Sequence, residues 1–389
     1  MQITGLLSLQ KLKLGLGIIG LYLLSAGISY VLFSYLKGAP GIIAPSTPES
    51  KRAAIDVNAP KTEECPLNGK MYTKAEKDIW QTRRPLGIMI ENHQDSRPQS
   101  GLSKADVVYE AVAEGGITRF LTVFFCGASA EETQVGPVRS ARIYYLDWVS
   151  EYGSSPLYVH VGGANKPGQT DALGAIKKYG WDLYNDINQF SVGFPTFWRD
   201  YERLGHPVAT EHTMYSTTDK LWEVAKARGL ANKDKDGKTW DDDFVPWKFQ
   251  DGKPSAAPTA LKISFPFWKG YEDYKVTWEY DPSTNVYKRV NGGQAHVDFD
   301  NKEQLAANNV VVLFTREKGP VDELMHMLYD TIGSGKALVF QNGEAIDATW
   351  SKKSRAERTR FMTSQGKEIS FVRGSIWIEV LNTVTKVEY

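Results

Sequence analysis

Neither sign of charge is in excess: lysine plus arginine and aspartate plus glutamate stand at 46 each, so the net charge is zero. The broad basic field that would draw in nucleic acid is therefore missing, and no basic run is interleaved with aromatics. Nucleic acid is excluded as a partner. Cysteine is scarce as well. Cys65 and Cys126 are the chain's two cysteines, too few for a disulfide framework or a zinc site. They permit one bridge, outside the cytoplasm, or two unpaired thiols. His93, His160 and His212 show neither HxxxH nor HxH spacing, so neither a metal nor a cofactor is expected. No G-x-S-x-G turn lifts a serine into a nucleophilic position. The stretch Gly333-Ser334-Gly335-Lys336 fails as a phosphate loop, because Asp330 stands where its first glycine belongs and Ala337 replaces the magnesium-binding hydroxyl. It reads as a turn before a strand. There is no internal repeat.

One long apolar run is present. Residues 14–36, LGLGIIGLYLLSAGISYVLFSYL, carry no charge and are bracketed by Lys11, Lys13 and Lys37. Roughly 20 apolar residues suffice to cross a bilayer, so this run predicts one transmembrane helix, an uncleaved signal anchor with the bulk of the chain outside the cytoplasm. Membrane anchor (1–37) gives way to a Pro-rich linker (38–64) of small residues without periodicity. A mixed α/β domain (65–230), a polar connection (231–260) and a β-rich domain (261–389) follow. The expected fold class is α+β.

In the first domain, residues 86–90 form a compact apolar run, and 107–112 and 117–125 flank Glu114-Gly115-Gly116 as a hairpin signature. A loop over 113–116 would set Glu110 opposite Arg119. Helices are expected over 143–152, over 171–179 before Gly180, and from a cap at Thr217 or Thr218 to Arg228 before Gly229. In the second domain, short strands recur at 262–265, 274–280, 286–290, 310–314, 337–340, 369–372 and 376–380, with turns at 281–285 and Asn342-Gly343.

The polar residues gather in residues 83–142, where apolar runs end in clusters of Glu, Asn, His and Arg. Arg139 and Arg142 precede a predicted helix, an arrangement suited to a carboxylate or phosphate. Against that stands internal pairing of the arginines with Glu110, Glu114 or Asp147. Glu91, Glu110 and Glu114 could supply the paired carboxylates of a glycosidase. Nearby arginines would lower their pKa values, however, whereas a general acid needs its pKa raised.

The motifs RRPLGIMIEN, RPQSGLSKADVVYEA, EGGITRF, GPVRSAR, WRD and EHTMY, with the strand ending at His160, resemble the YerB-like family of lipoprotein-type bacterial proteins. YKRVNGGQAHVDF, LAANNVVV, GSGKALVF, ATWSK and RGSIWIEV are similar to that family's second domain. The likeness runs from about Cys65 to the end. It implies an α+β first domain, a β-rich second domain and an extracytoplasmic location, and it implies no reaction. Two departures are visible. The family's lipid-attachment cysteine is replaced by the apolar span, and Glu211-His212-Thr213 stands where the family tends to carry Pro-His-Asn.

These readings converge on a membrane-anchored binding or scaffolding protein of the cell envelope. In it Arg119, Arg139, Arg142 and Arg199 would fix an anionic or amide-bearing group, with Asn92, Glu110, Glu114, His160 and His212 around it. Peptidoglycan or an envelope protein would supply that group. The alternative is a wall-directed hydrolase using Glu110 or Glu114 with His212.

Overall fold

Runs such as VVYEAVAE, ITRFLTVF, NVVVLFT and IWIEVLN put β-branched and aromatic residues at successive positions, too short and too uniformly apolar for amphipathic helices. Each becomes a strand buried on both faces: Val107–Glu114, Ile117–Phe124, Asn309–Thr315 and Ile376–Asn382. The computed structural model describes Leu24, Ile55, Asp56 and residues 58–389.

One ten-stranded sheet organises residues 58–389. Its order is Arg360–Thr363, Glu344–Lys352, Gly333–Gln341, Asn309–Thr315, Ile376–Asn382, Val107–Glu114, Ile117–Phe124, Leu86–Glu91, Leu157–His160 and Asp186–Asn188. At its centre Ile376 to Glu379 pair in parallel with Val107 to Glu110. Strands from the two expected domains thus meet inside a single sheet.

Different layers cover the two faces. The helix Ile143–Val149 lies over one, with the Trp148 ring stacked 5.6 Å from that of Tyr109 and the Tyr144 hydroxyl donating to the Val112 carbonyl. The opposite face carries a smaller antiparallel sheet built on Lys262–Phe265, Val276–Asp281 and Val286–Asn291. There Trp278 meets Trp377 edge-on at 5.3 Å. Aromatic pairs of this size help to pack the layers together.

The predicted α+β class is corrected to mostly β. The described residues are 36% strand and 14% helix, with five α-helices, the longest being Thr218–Ala227 at ten residues. The helix signals marked real but short elements, whereas nearly every apolar run between them went into sheet. A helix crossing a bilayer needs roughly 20 residues. Among the described residues no helix is long and apolar enough to cross a membrane, so the N-terminal transmembrane helix is withdrawn from the fold. The run at 14–36 that prompted it lies, apart from Leu24, outside the described residues.

Two stretches expected to be open chain carry structure. Lys61–Glu64, at the end of the linker, pairs with Met71–Thr73. In the 231–260 connection Trp240 and Trp247 are buried, and Lys248–Gln250 pairs in parallel with Ser370–Val372. Of the two cysteine alternatives, the bridge is the one found: Cys65 and Cys126 are joined, with Cα atoms 6.1 Å apart. The Gly333-Ser334-Gly335-Lys336 stretch is the first part of a strand rather than a turn before one.

Candidate functional site

Successive side chains in a strand point to opposite faces, and this alternation divides the polar residues of 83–142 into two clusters. The expected pairing of Glu110 with Arg119 does not form. Arg119 stands opposite Ala111, and Glu110 opposite Phe120, because the register shifts between Val112 and Glu114. The extra residue ahead of the Gly115-Gly116 turn sends Glu110 and Arg119 to different faces.

On the face under the smaller sheet, Glu110 is fully buried and meets Arg289, whose Nη2 lies 2.5 Å from Glu110 Oε2. The same guanidinium donates from Nη1 to Glu379 Oε1 at 2.6 Å and from Nε to His296 Nδ1 at 3.1 Å. Its carbon sits 4.6 Å from the centroid of Trp377. Asn92 and Thr118 donate to Glu110 Oε1 at 3.1 and 2.6 Å, and Trp278 Nε1 donates to Glu379 Oε1 at 2.9 Å. Burial pushes the His296 pKa well down, with Arg289 adding to it, so the neutral ring accepts from Arg289 and donates to Gln99 at 2.7 Å. Burial also pushes Glu379 well up, against the pull of Arg289. Arg289, Glu110 and Glu379 are all sealed from solvent.

The other face carries Glu91, Arg119 and Glu114, joined by arginines from the GPVRSAR segment. That segment is laced to the sheet by Glu91 N–H to Pro137 O at 3.0 Å and Arg139 N–H to Met89 O at 2.8 Å. Arg119 Nη2 donates to Glu114 Oε1 at 2.5 Å, and Arg142 Nη2 lies 2.8 Å from Glu114 Oε2. Arg139 donates through Nε to Glu91 Oε1 at 2.9 Å, while His212 Nδ1 lies 2.8 Å from Glu91 Oε2. His212 sits in the short turn Thr210–His212, just before the strand Met214–Thr217 whose Met214 carbonyl accepts from Val138 N–H. His93 stacks on it, ring centroids 4.8 Å apart. Burial raises the Glu114 pKa, but Arg119 and Arg142 together outweigh it and hold the carboxyl at about 2. The Glu91 hydrogen bond raises the pKa of His212.

Glu114, Arg119, Arg139, Arg142 and His212 are therefore brought together. Asn92 and Glu110 belong to the sealed cluster. His160 is fully buried, its ring nitrogens 2.6 Å from Gly162 O and 2.5 Å from Asp186 Oδ1. Arg199 makes no ion pair with this group among the described residues; it is exposed, with Nη1 donating to Thr210 O at 2.5 Å. The helix after Arg142 has only seven residues, and Arg142 makes no side-chain cap to it, so the arginines act through ion pairs rather than a helix end. A cavity of about 640 Å³ lined by Ser264, Trp268, Lys275 and Asn382 includes none of these residues.

Sequence reasoning missed Arg289 and Glu379. A signal existed for Arg289: the strand Val286–Asn291 alternates, and Tyr287, Arg289 and Asn291 are the inward positions. An arginine on the buried register of an amphipathic strand calls for a buried partner.

Two family models match the chain: "Protein of unknown function (DUF3048) N-terminal domain" over residues 70–231 and the corresponding C-terminal domain over 263–378. "Putative lipoprotein YerB" of Bacillus subtilis is 28% identical over 322 residues, 82% of this chain and 87% of that protein. The crystal structure of the Bacillus subtilis YerB protein is similar with a TM-score of 0.66 at 26% identity, covering 84% of this chain and 100% of the other.

Proposed function

We propose, for a chain that belongs to the YerB-like DUF3048 family, the role of an extracytoplasmic envelope protein that captures an anionic group at Arg139. The relative's name as a lipoprotein supports an envelope address. The Cys65–Cys126 bridge suits the same oxidising side of the membrane.

One observation carries the binding reading. Three arginines, Arg119, Arg139 and Arg142, face two carboxylates, Glu91 and Glu114, in one cluster. Arg119 and Arg142 close on Glu114, whereas Arg139 is held by Nε alone. Its Nη1 and Nη2 make no hydrogen bond among the described residues, and its side chain is 23% exposed. A guanidinium fixed at one edge presents its other edge as a planar fork matched to carboxylate or phosphate. The ligand class is thus a carboxylate-bearing wall fragment or an acidic segment of an envelope protein.

The hydrolase reading loses support from the same geometry. Glu110 is out of reach of any substrate, and Glu114 stays ionised far below the range in which a carboxyl serves as a general acid.

Sedimentation of the full-length protein with purified peptidoglycan sacculi tests the proposal. Retention should fall about tenfold in Arg139→Ala, the loss of one charge-assisted contact, and partly recover in Arg139→Lys. Equal retention of the wild type and Arg139→Ala, with acidic envelope peptides also failing to distinguish them, would remove the anion site.

A further inference from the structure

His93, Asp95 and His212 occupy a place that the anion reading does not use. One ligand atom from each lies within 4.8 Å of those of the other two. His93 Nδ1 is 3.7 Å from Asp95 Oδ2, close to the roughly 3.3 Å that separates two ligands bound at ~2.0–2.1 Å to a tetrahedral ion. The His212 ring is held from behind: its Nδ1 is 2.8 Å from Glu91 Oε2, and Glu91 is itself held by Arg139. A histidine whose outer nitrogen donates to a carboxylate has its tautomer set so that Nε2 carries the lone pair, the arrangement repeatedly found behind metal-binding imidazoles. His212 Nε2 has no hydrogen-bond partner among the described residues.

We propose that His93, Asp95 and His212 bind a divalent first-row transition cation, with Glu91 as the positioning residue for His212. The donor set is two imidazoles and one carboxylate, which suits zinc, cobalt, nickel or ferrous iron and disfavours calcium and magnesium, which take oxygen ligands. His93 would bind through Nδ1, the atom that now accepts a 3.2 Å hydrogen bond from the Asp95 N–H. That bond caps a three-residue turn, Gln94–Ser96, and is readily exchanged for a metal bond. The two rings are stacked. Because Glu91 fixes His212, closing the site falls to the partly exposed His93, which turns its ring edge toward the ion. Glu91 and Glu211 act on His212 and Asp95 lies beside His93, so a cation there would meet carboxylates as well as Arg139. This site does not depend on the anion reading.

The test strips the full-length protein with a chelator and titrates it with zinc by calorimetry in an anion-poor buffer near pH 7.5, with native mass spectrometry for stoichiometry. One zinc per chain is expected. His93→Ala and Asp95→Asn should each weaken it at least about tenfold, and Glu91→Gln by ~10–100-fold, with unchanged melting temperatures for the first two. His206→Ala, an exposed histidine elsewhere, should leave it unaltered. Absence of a tight equivalent in the wild type, or equal affinity in His93→Ala and Asp95→Asn, overturns the site. Loss of zinc binding with sacculus retention intact would separate this proposal from the one above.

Discussion

The two charged clusters differ by a single step along the strands that bear them, yet they are opposite in character. Glu91 and Asn92 are neighbours, but Glu91 faces Arg139 and His212 while Asn92 faces Glu110. Beneath the smaller sheet one guanidinium serves two carboxylates, with aromatic rings against it and no path to water. On the other side three guanidinia serve two carboxylates, and the surplus edge reaches solvent. The first arrangement can do little except hold the layers in register. The second keeps cationic valence unspent, which is what recognition of an outside group requires. Charge density alone does not mark a site; the stoichiometry of the pairing and its access to water do.

The strongest way to break this contrast is to remove Arg289. Arg289→Met leaves Glu110 and Glu379 buried without a cation, and a loss of ~3–5 kcal/mol is expected in urea or guanidinium unfolding. A loss under 1 kcal/mol would mean that the sealed cluster is not a structural clamp. Next in size is Glu114. Its carboxyl titrates at about 2 in the fold against 4.5 as the ordinary value. A depressed acid stabilises above its unfolded pKa and loses that contribution as the pH falls through the folded one. The window is therefore about pH 4.5 down to about 2, and the full contribution is about 3 kcal/mol. Glu114→Gln should lose that amount at neutral pH and show a flatter stability profile in this acid range; identical profiles would show that the arginines do not lean on Glu114. The smallest loss belongs to Glu379→Gln. Burial pushes the pKa of this carboxyl well up, which costs stability at neutral pH because unfolding lets the group ionise, and the amide removes that cost. The substitution should leave stability at neutral pH unchanged or raised, and a loss as large as that of Arg289→Met would show Glu379 to be ionised.

Much of the local structure was legible. The run at 86–90 became Leu86–Glu91, the cap at Thr217 accepts from Lys220 N–H, and Asn342-Gly343 turns with both residues at positive φ, as a tight hairpin requires. Nearest-neighbour chemistry settles such features. What stayed hidden was anything set by distant partners. The hairpin was readable but its register was not, since one extra residue before Gly115 leaves no mark in the hydrophobic pattern and exchanges the faces of Glu110 and Arg119. The grouping of Glu114, Arg139 and Arg142 could be suspected from residue type in a short stretch. His212, a strand and several loops away, was placed with them by residue type as well, but its bond to Glu91 could not be read, and neither could the pairing of Arg289 with Glu110 across two layers. Arg199 looked equally available in the sequence, and only the fold shows that it turns to its own loop, at Thr210 O and Thr213 Oγ1, rather than joining the ion pairs.

The parallel seam between Val107–Glu114 and Ile376–Asn382 bears on how the protein comes into being. The earlier strand is synthesised long before its neighbour, and it is apolar on both sides with a row of amide groups along one margin. Until residues 376–379 have been delivered, that margin is a bare template for any passing β-segment. Assembly of the central sheet therefore waits for the strand Ile376–Asn382, and a chain interrupted ahead of residue 376 would leave the ribosome with the adhesive edge still uncovered.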